Sequence, residues 1–328
     1  MSERSTALER QIASQPDQIE TLLERPLPRP AVERLREASR IWLVGTGTSQ
    51  HAAELGAWMF QEGGRAAHAM GSMTFANRTP PLADGDALVL ISHNAGAETA
   101  YAGASWTLAT KAGLPAVAIT RVGGELPDPV ETVEKEPSHT YTVSYTAALV
   151  QLARLAFELG AAAFSQQVLA RVPDAVRAAN ADPVAIEHPR RLLLFTGEGP
   201  AGVTAREGAL KLREAARFPA EGYDVETLLH GHAVPLDASD HLVTLAPPDT
   251  QGLTAGVQEV ARAVGIGVTQ IEEASDLPPL LAQIPLTARL QALALRFALE
   301  RGTNPDVAIE PPWDDPDLWA IGSPAWRG

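Results

Sequence analysis

Cysteine is absent from this 328-residue sequence, and several other features are scarce. Without thiols, the chain can form neither disulfides nor thiolate metal sites, and it has no cysteine nucleophile. Aromatic residues make up only 5% of the chain, and there is no run of about 18 apolar residues that would predict a transmembrane helix. The first 20 residues are polar and contain no hydrophobic signal core. These absences predict a cytoplasmic protein that does not span a membrane.

Positive charge is scarce as well. The chain has 26 lysine and arginine residues against 40 aspartate and glutamate residues, which gives a formal net charge of −14. Nucleic acid and anionic lipid bind clusters of lysine and arginine, so this balance argues against both as partners. If the ligand carries phosphate, backbone N–H groups, a helix N-terminus or a few cations must bind it locally.

What the sequence does contain is a regular alternation of apolar runs with helical patterns. The strands are apolar throughout rather than apolar at every second residue, which is typical of parallel sheets that are covered on both faces. The fold class is therefore predicted as α/β, with each parallel sheet flanked by helices on both faces in a flavodoxin-like, three-layer arrangement. In the first half, strands are predicted at 41–44, near 65–70, within 82–92 and at 115–120, and long helices at 5–22, 98–112 and 141–160.

The pattern of the first half returns in the second. Residues 191–215 match 41–60 in kind, because both contain an apolar strand, a glycine-rich turn and a helix. Such self-similarity predicts a duplication with a linker near 165–190. The predicted ranges are an N-terminal helical segment at 1–30, two repeats at 31–165 and 166–310, and a tail at 311–328 that packs back onto the body through Trp313 and Trp319.

A glycine-bearing turn, Gly45-Thr46-Gly47-Thr48-Ser49, joins the first strand to a helix. Glycines allow a tight turn, and the N–H groups that open the helix attract an anion. Three interpretations stay open for this motif alone: an anion site, a dinucleotide site and an ordinary strand–helix turn. The dinucleotide interpretation is weakened because Gln50 stands where its fingerprint requires a third glycine.

A second polar segment, Ser92-His93-Asn94-Ala95-Gly96, follows the strand that ends near residue 91. Open α/β sheets bind ligands in the loops at the carboxyl ends of their strands. Ser92 and Asn94 can donate side-chain hydrogen bonds, and Gly96 permits a close approach of the backbone. A polar turn with one capping residue is the alternative.

The helix that begins near residue 200 carries Glu207, Lys211 and Glu214 at spacings of four and three, which places them on one face. Two carboxylates with a lysine between them form a plausible acid/base array. The alternative is a solvated face with intrahelical ion pairs. His230 follows in a loop, and its imidazole titrates near neutrality, so it suits proton transfer.

No metal or other cofactor is predicted. Four histidines lie near the candidate motifs, but their spacings match no familiar zinc pattern. These histidines are His51, His93, His230 and His232.

Taken together, these motifs resemble the sugar isomerase (SIS) family. Within that family, they are similar to the isomerase part of glutamine–fructose-6-phosphate aminotransferases and to the SIS-type amino-sugar-phosphate deaminases and deglycases. The resemblance covers roughly residues 35–305. It is carried by Gly47-Thr48-Ser49-x-His51-Ala52, by Glu207-Gly-Ala-Leu-Lys211-Leu-x-Glu214, by Ala220-Glu221-x-Tyr223 with His230-Gly231, and by the segment from Arg301 to Asp306.

The resemblance implies two tandem SIS domains and one sugar-phosphate site per subunit of a homodimer. Glu214 would be the base that moves a proton between sugar C1 and C2, with Glu207 and Lys211 beside it. His230 would assist ring opening and would come from the other subunit. The substrate and its phosphate would be bound by Gly47, Thr48, Ser49, Ser92, His93, Asn94 and Gly96.

Three departures from the family pattern narrow the expected function. The usual phosphate loop, Ser-x-Ser-Gly-x-Thr, is altered at Ser92–Ala97, and no lysine follows Arg213, so the lysine that forms an imine in the synthase has no counterpart. We also expect no glutamine-hydrolysing domain, and therefore no glutamine-dependent synthesis. We therefore expect a phosphosugar isomerase or an amino-sugar-phosphate deaminase or deglycase, with a non-catalytic sugar-phosphate-binding regulator as the alternative.

Overall fold

The computed structural model describes residues 5–94, 100–248 and 250–317, and the chain forms two compact units. The first-sheet unit consists of the described residues from 17 to 136, from 143 to 170 and from 309 onward. The second-sheet unit consists of the described residues up to 16, from 137 to 142 and from 171 to 308. Each unit contains one sheet, and the start of the chain groups with the second sheet.

Helices and strands alternate along the chain. The helices are α1 (Ala7–Glu24), α2 (Arg29–Arg36), α3 (Thr48–Glu62), α4 (Ser72–Asn77), α5 (Ala100–Lys111), α6 (Val143–Glu158), α7 (Gln166–Leu169), α8 (Val172–Ala181), α9 (Pro200–Ala216), α10 (Val225–Thr227), α11 (Leu253–Ala263) and α12 (Pro279–Arg301). The strands are β1 (Arg40–Gly45), β2 (Ala66–Gly71), β3 (Asp86–Ile91), β4 (Ala116–Thr120), β5 (Val130–Glu131), β6 (Leu193–Gly197), β7 (Ala220–Asp224), β8 (His241–Ala246) and β9 (Gly267–Glu272). In the described part of the chain, no helix has the length and apolarity that a membrane crossing requires.

The first sheet has five strands in the order β2-β1-β3-β4-β5, and all its pairings are parallel. On one face, Trp42 and Leu88 pack in a cluster with Ala109 of α5. On the other face, α3 lies so close that a Cβ on Gly56 would meet Leu43 Cδ2 at 2.8 Å. Helices therefore cover both faces, which explains why the strands are apolar throughout.

The second sheet has four parallel strands in the order β7-β6-β8-β9. Phe195 and Val243 pack with Leu290 of α12 on one face. Leu194 and Ala261 of α11 belong to a second cluster on the opposite face. The predicted α/β class with two parallel sheets flanked by helices is confirmed.

The backbone where each repeat enters its long helix shows the duplication directly. Gly47 precedes α3 with φ 54° and ψ −124°, and Gly199 precedes α9 with φ 53° and ψ −120°. This region of backbone conformation is essentially restricted to glycine. The two strand–helix turns therefore repeat one geometry, although only their glycines match in sequence.

An ion pair between an arginine and a buried aspartate is repeated as well. Arg40 donates through Nε and Nη2 to Asp86 at 2.8 and 2.6 Å. Arg191 donates through the same two atoms to Asp240, with 2.7 Å from Nε to Oδ1. Each arginine also donates to a proline carbonyl. Each pair joins neighbouring strands of its own sheet, β1 to β3 and β6 to β8, at their amino ends.

Strand β7 was not anticipated by the sequence analysis, because it is neither apolar nor alternating. It lies at the edge of the second sheet, and its central residue is Gly222. A Cβ there would lie 2.3 Å from the carbonyl oxygen of Ala205 in α9. Gly222 weakens the strand pattern in the sequence, and the same residue permits the close packing of α9 against β7.

The prediction that the C-terminal tail packs onto the body through its tryptophans is wrong for the described part. Residues 309–317 are exposed, and Trp313 is 67% exposed. Trp319 lies outside the described residues. The tail is rich in proline and aspartate, which disfavour burial, and one tryptophan does not reverse that preference.

Candidate functional site

The turn after β1 is built around two glycines with different tasks. A Cβ on Gly45 would lie 2.3 Å from the Ser49 carbonyl oxygen, so only glycine allows the helix to approach the strand end. Gly47 supplies the positive φ. The Ser49 N–H donates to the Thr46 carbonyl at 3.0 Å and closes the turn. Thr46 and Gly47 are exposed, and Thr48 and Ser49 are partly exposed at the start of α3.

The segment after β3 lies beside this turn, because β1 and β3 are parallel neighbours and their carboxyl ends meet at one edge of the sheet. Ser92 is buried, and its N–H donates to the Ile119 carbonyl at 3.0 Å. Asn94 is partly exposed. The structure therefore brings together the predicted ligand-binding residues of the first-sheet unit, except Gly96, which lies outside the described residues.

His93 turns its ring into the protein. Its Nε2 accepts a hydrogen bond from the Glu136 N–H at 3.2 Å. Burial lowers the pKa of His93 to about 4, and the positive charges of Arg121 and Lys135 act in the same direction. The ring is therefore neutral at physiological pH. In this position it fixes the backbone of the loop and does not present a cation to an anionic ligand.

The acidic stripe of α9 lies in the second-sheet unit and is mostly buried. The side chains of Glu207 and Lys211 are 0% and 1% exposed, and that of Glu214 is 24% exposed. Lys211 Nζ lies 3.5 Å from Glu207 Oε1 and 2.5 Å from Glu214 Oε2. A solvated helix face would leave all three exposed, so that alternative is excluded for Glu207 and Lys211.

This arrangement suits proton transfer. One buried lysine nitrogen lies within ion-pair distance of two carboxyl groups. Burying charged groups is costly even when they are paired, so a buried cluster of this kind is a functional candidate. Glu214 is the member that solvent reaches, and an ammonium at 2.5 Å from its Oε2 can balance a change in its charge.

Two contacts hold α9 in place for this purpose. Thr204 Oγ1 donates to Gln283 Oε1 of α12 at 2.7 Å, and both residues are fully buried. Gly208 allows Leu290 to approach so closely that a Cβ would meet Leu290 Cδ1 at 2.4 Å. The helix that carries the charged stripe is therefore fixed against its neighbour by a polar and a steric contact.

His230 lies in the irregular turn Leu228–His232, where its ψ of 46° and the φ of 117° at Gly231 break the helical path. Its side chain is exposed, and Nδ1 lies 2.8 Å from the Glu226 carbonyl oxygen. A carbonyl only accepts, so Nδ1 carries the proton and Nε2 of the neutral ring can act as a base.

Two neighbours of His230 were not assigned roles from sequence. The ring of His232 stacks on Tyr223 with 4.0 Å between ring centroids. Tyr223 Oη donates to Glu221 Oε2 at 3.0 Å. These contacts tie the turn to strand β7, and the short spacing of aromatic, acidic and imidazole side chains is the signal that could have revealed them.

Glu198 is a further residue that sequence reasoning missed. It stands in the second repeat where Thr46 stands in the first. Its carboxylate accepts from Thr250 Oγ1 and the Gln251 N–H, both at 2.8 Å, and from the Thr254 N–H at 3.3 Å. Desolvation acts to raise the pKa of Glu198, but these donors together outweigh it and hold the pKa below its ordinary value. The signal was a lone carboxylate between the two turn glycines.

No group of three or more metal-ligating side chains that could hold an ion occurs in the described ranges. The candidate residues fall into both units. Gly47, Thr48, Ser49, Ser92, His93 and Asn94 belong to the first-sheet unit, and Glu207, Lys211, Glu214 and His230 belong to the second-sheet unit.

A protein-family model and several curated proteins match this chain. The SIS domain model matches residues 34–128. The glutamine–fructose-6-phosphate aminotransferase of Pyrococcus horikoshii is 27% identical over 309 residues, which cover 84% of this chain and 51% of the relative. The chain thus spans about half the length of the curated relatives it matches.

Two solved structures share the fold over nearly their whole length. Glucosamine-6-phosphate deaminase from Thermotoga maritima has a TM-score of 0.76 at 17% identity, and the match covers 92% of this chain and 97% of that one. Tagatose-6-phosphate ketose/aldose isomerase from Escherichia coli has a TM-score of 0.75 at 20% identity, with 95% and 98% covered. The two sheets match tandem SIS domains. The chain accordingly contains a SIS domain at residues 34–128, is related to glutamine–fructose-6-phosphate aminotransferases, and shares its fold with a deaminase and a ketose/aldose isomerase of sugar phosphates.

Proposed function

We propose that the protein is an enzyme that moves a proton between C1 and C2 of a sugar phosphate, as an aldose–ketose isomerase or an amino-sugar-6-phosphate deaminase or deglycase. The observation that carries this proposal is the burial of Glu207 and Lys211 beside the solvent-accessible Glu214. The names of the two structural neighbours, a deaminase and a ketose/aldose isomerase, support the same class of substrate.

In this proposal, Glu214 is the base that takes the proton from one carbon and returns it to the other. Lys211 holds the Glu214 carboxylate in place, and Glu207 orients the substrate. His230 uses Nε2 to move the proton that opens the sugar ring. Such chemistry needs one carboxylate within reach of both carbons and a proton donor at the carbonyl oxygen.

The phosphate is proposed to bind at the carboxyl edge of the first sheet, through the Gly47–Ser49 turn together with Ser92 and Asn94. Backbone N–H groups that open a helix attract an anion even on a chain of negative net charge. The site is proposed to be completed in a homodimer, with His230 supplied by the partner subunit.

The test uses Glu214→Gln, which keeps the size of the side chain but removes the base. The substrate is a sugar phosphate that the wild-type protein converts. We expect its turnover to fall by about a thousandfold or more, since general-base catalysis contributes about that much. Binding of the sugar phosphate, measured by calorimetry, should change little. Glu259→Gln on the exposed side of α11 is the matched control and should retain full activity. Full activity in Glu214→Gln contradicts the proposal.

The second candidate is a non-catalytic sugar-phosphate-binding regulator. The inward-turned ring of His93 favours it, because the altered loop then offers fewer donors to a phosphate. A thermal-shift screen with hexose 6-phosphates and amino-sugar 6-phosphates, followed by a turnover assay on each hit, separates the two candidates. Binding without turnover under all conditions supports the regulator.

A further inference from the structure

A pocket of about 550 Å³ lies in the first-sheet unit, and no residue of the candidate site lines it. It is formed by the end of α1, the turn into α2, α2 itself, the end of α6, and α7. Its volume falls within the range of small-molecule sites in proteins. Its apolar wall is made of Leu23, Pro26, Leu27, Val32, Phe157 and Leu169.

Arg154 of α6 provides the polar end of this pocket, and its guanidinium is only partly satisfied by the protein. Nη1 donates to the Leu22 carbonyl at 2.9 Å and to Gln151 Oε1 at 3.0 Å, and Nη2 donates to the Arg25 carbonyl at 2.5 Å. A guanidinium has five N–H donors. Among the described residues, Nε–H has no acceptor and no carboxylate forms an ion pair with Arg154.

The surroundings of Arg154 favour an added negative charge. Burial lowers the pKa of Arg154, and the nearby charge of Glu158 only partly opposes this effect. Four arginines and three glutamates line the pocket, so it is locally positive on a chain with a net charge of −14. An anion bound here would offset the cost of holding a cation partly out of water.

The same chain shows what the open edge of such an arginine accepts. The Nε and Nη2 atoms of Arg40 hold the Asp86 carboxylate, and those of Arg191 hold the Asp240 carboxylate. Carboxylates match this edge, because two parallel N–H groups can donate to their two oxygens. Phe157, which is 39% exposed, and Leu27 provide an apolar surface beside it.

We propose that this pocket binds a small organic acid, with its carboxylate on the Nε edge of Arg154 and its apolar body against Phe157 and Leu27. The site is separate from the proposed sugar-phosphate site and does not depend on that function. The ligand class is a monocarboxylate with an aliphatic or aromatic body. Neither the carboxylate nor the apolar body alone is sufficient for binding.

The experiment measures binding of octanoate to the full chain by titration calorimetry, with acetate and 1-octanol as probes that lack one part each. We expect octanoate to bind at one site per chain, and acetate and octanol to bind at least about tenfold more weakly. Absence of saturable octanoate binding, or equal binding of octanol, overturns the proposal.

Two variants locate the site. Phe157→Asp places a negative charge on the apolar wall and should weaken octanoate binding at least about tenfold. Leu299→Asp, at a residue of α12 that is 52% exposed, is the matched control and should leave binding unchanged. Arg154→Lys keeps the charge but removes the Nε edge, so it should weaken octanoate binding in the same direction. If Phe157→Asp and Arg154→Lys both bind octanoate like wild type, the pocket is not the site and the proposal fails.

Discussion

Lys211 illustrates how one buried charge depends on its neighbours. Replacing it with methionine would remove the ammonium that lies 3.5 Å from Glu207 Oε1 and 2.5 Å from Glu214 Oε2. We expect Lys211→Met to lower the free energy of unfolding by about 3 kcal/mol, because removing one partner of a buried ion pair leaves uncompensated charge. Urea denaturation measures this loss. Lys111→Met, at an exposed lysine, should be nearly neutral, and equal effects of the two substitutions would contradict the argument.

His93 predicts a specific dependence of stability on pH. Its folded pKa of about 4 lies below the ordinary value near 6.5, so protonation favours the unfolded chain. Its contribution to stability is complete above pH 6.5 and is lost as the pH falls towards 4. Between pH 6.5 and 5 the loss should be about 1.5 kcal/mol.

His93→Gln tests this dependence, since glutamine keeps an acceptor for the Glu136 N–H but does not titrate. Urea denaturation at pH 6.5 and 5 should show a smaller loss of stability in this variant than in wild type. His139→Gln, at an exposed histidine, should lose as much as wild type. An identical loss in wild type and His93→Gln would show that His93 is not the group that titrates.

The sequence predicts which residues share a helix face, but it does not predict whether that face is buried. The spacing of Glu207, Lys211 and Glu214 predicts their common face, yet an exposed and a buried stripe have the same spacing. Burial depends on α12 packing against α9, which involves residues about 80 positions further along the chain. For the same reason, His93 was assigned to ligand binding from its place in a loop, whereas its ring contacts Glu136.

At the scale of elements, the two strand–helix turns allow one substitution to be tested at two equivalent positions. Gly47→Ala and Gly199→Ala should each lower the free energy of unfolding by about 1–3 kcal/mol, because alanine is strained at their φ and ψ. An added Cβ meets no atom within 4 Å at either position, so the cost is conformational. Gly103→Ala within α5 is the control and should be neutral or stabilising. Urea denaturation that shows equal effects at Gly47 and Gly103 would contradict this.

Elements with a strong apolar signal were predicted well, and two strands without it, β5 and β7, were missed. Strands β1, β3, β4 and β6 are mostly runs of buried apolar residues, and α1, predicted at 5–22, buries Leu8, Ile12, Ile19 and Leu22. Strand β7 was missed because an edge strand can be polar, and β5 because it has only two residues. The tail was misjudged because the presence of tryptophan does not determine whether its side chain is buried.

At the scale of the whole molecule, the proposed homodimer predicts that two inactive variants can restore each other's activity. Glu214→Gln and His230→Ala should each be inactive alone. If the partner supplies His230, mixing them under conditions that exchange subunits should restore about a quarter of the wild-type rate. Half of the dimers are then mixed, and each mixed dimer has one complete site.

Light scattering of the eluted protein is the control for this experiment, because it shows whether dimers form at all. No recovery of activity in a verified mixture of dimers would mean that Glu214 and His230 act within one chain, and the shared site would be abandoned. Recovery would also separate catalysis from simple binding, which needs no complementary residues.

The Glu198 carboxylate gives the two halves of the molecule unequal access to free anions. A side chain tethered beside its donors competes with dissolved ions as though it were present at millimolar concentration or above. Any phosphate that approaches Thr250 and Thr254 must first displace this resident group, whereas Thr46 presents no such competitor in the other half. The donors at the second turn are thus already bound to a carboxylate of the same chain, whereas the equivalent position of the first turn, Thr46, carries no charge.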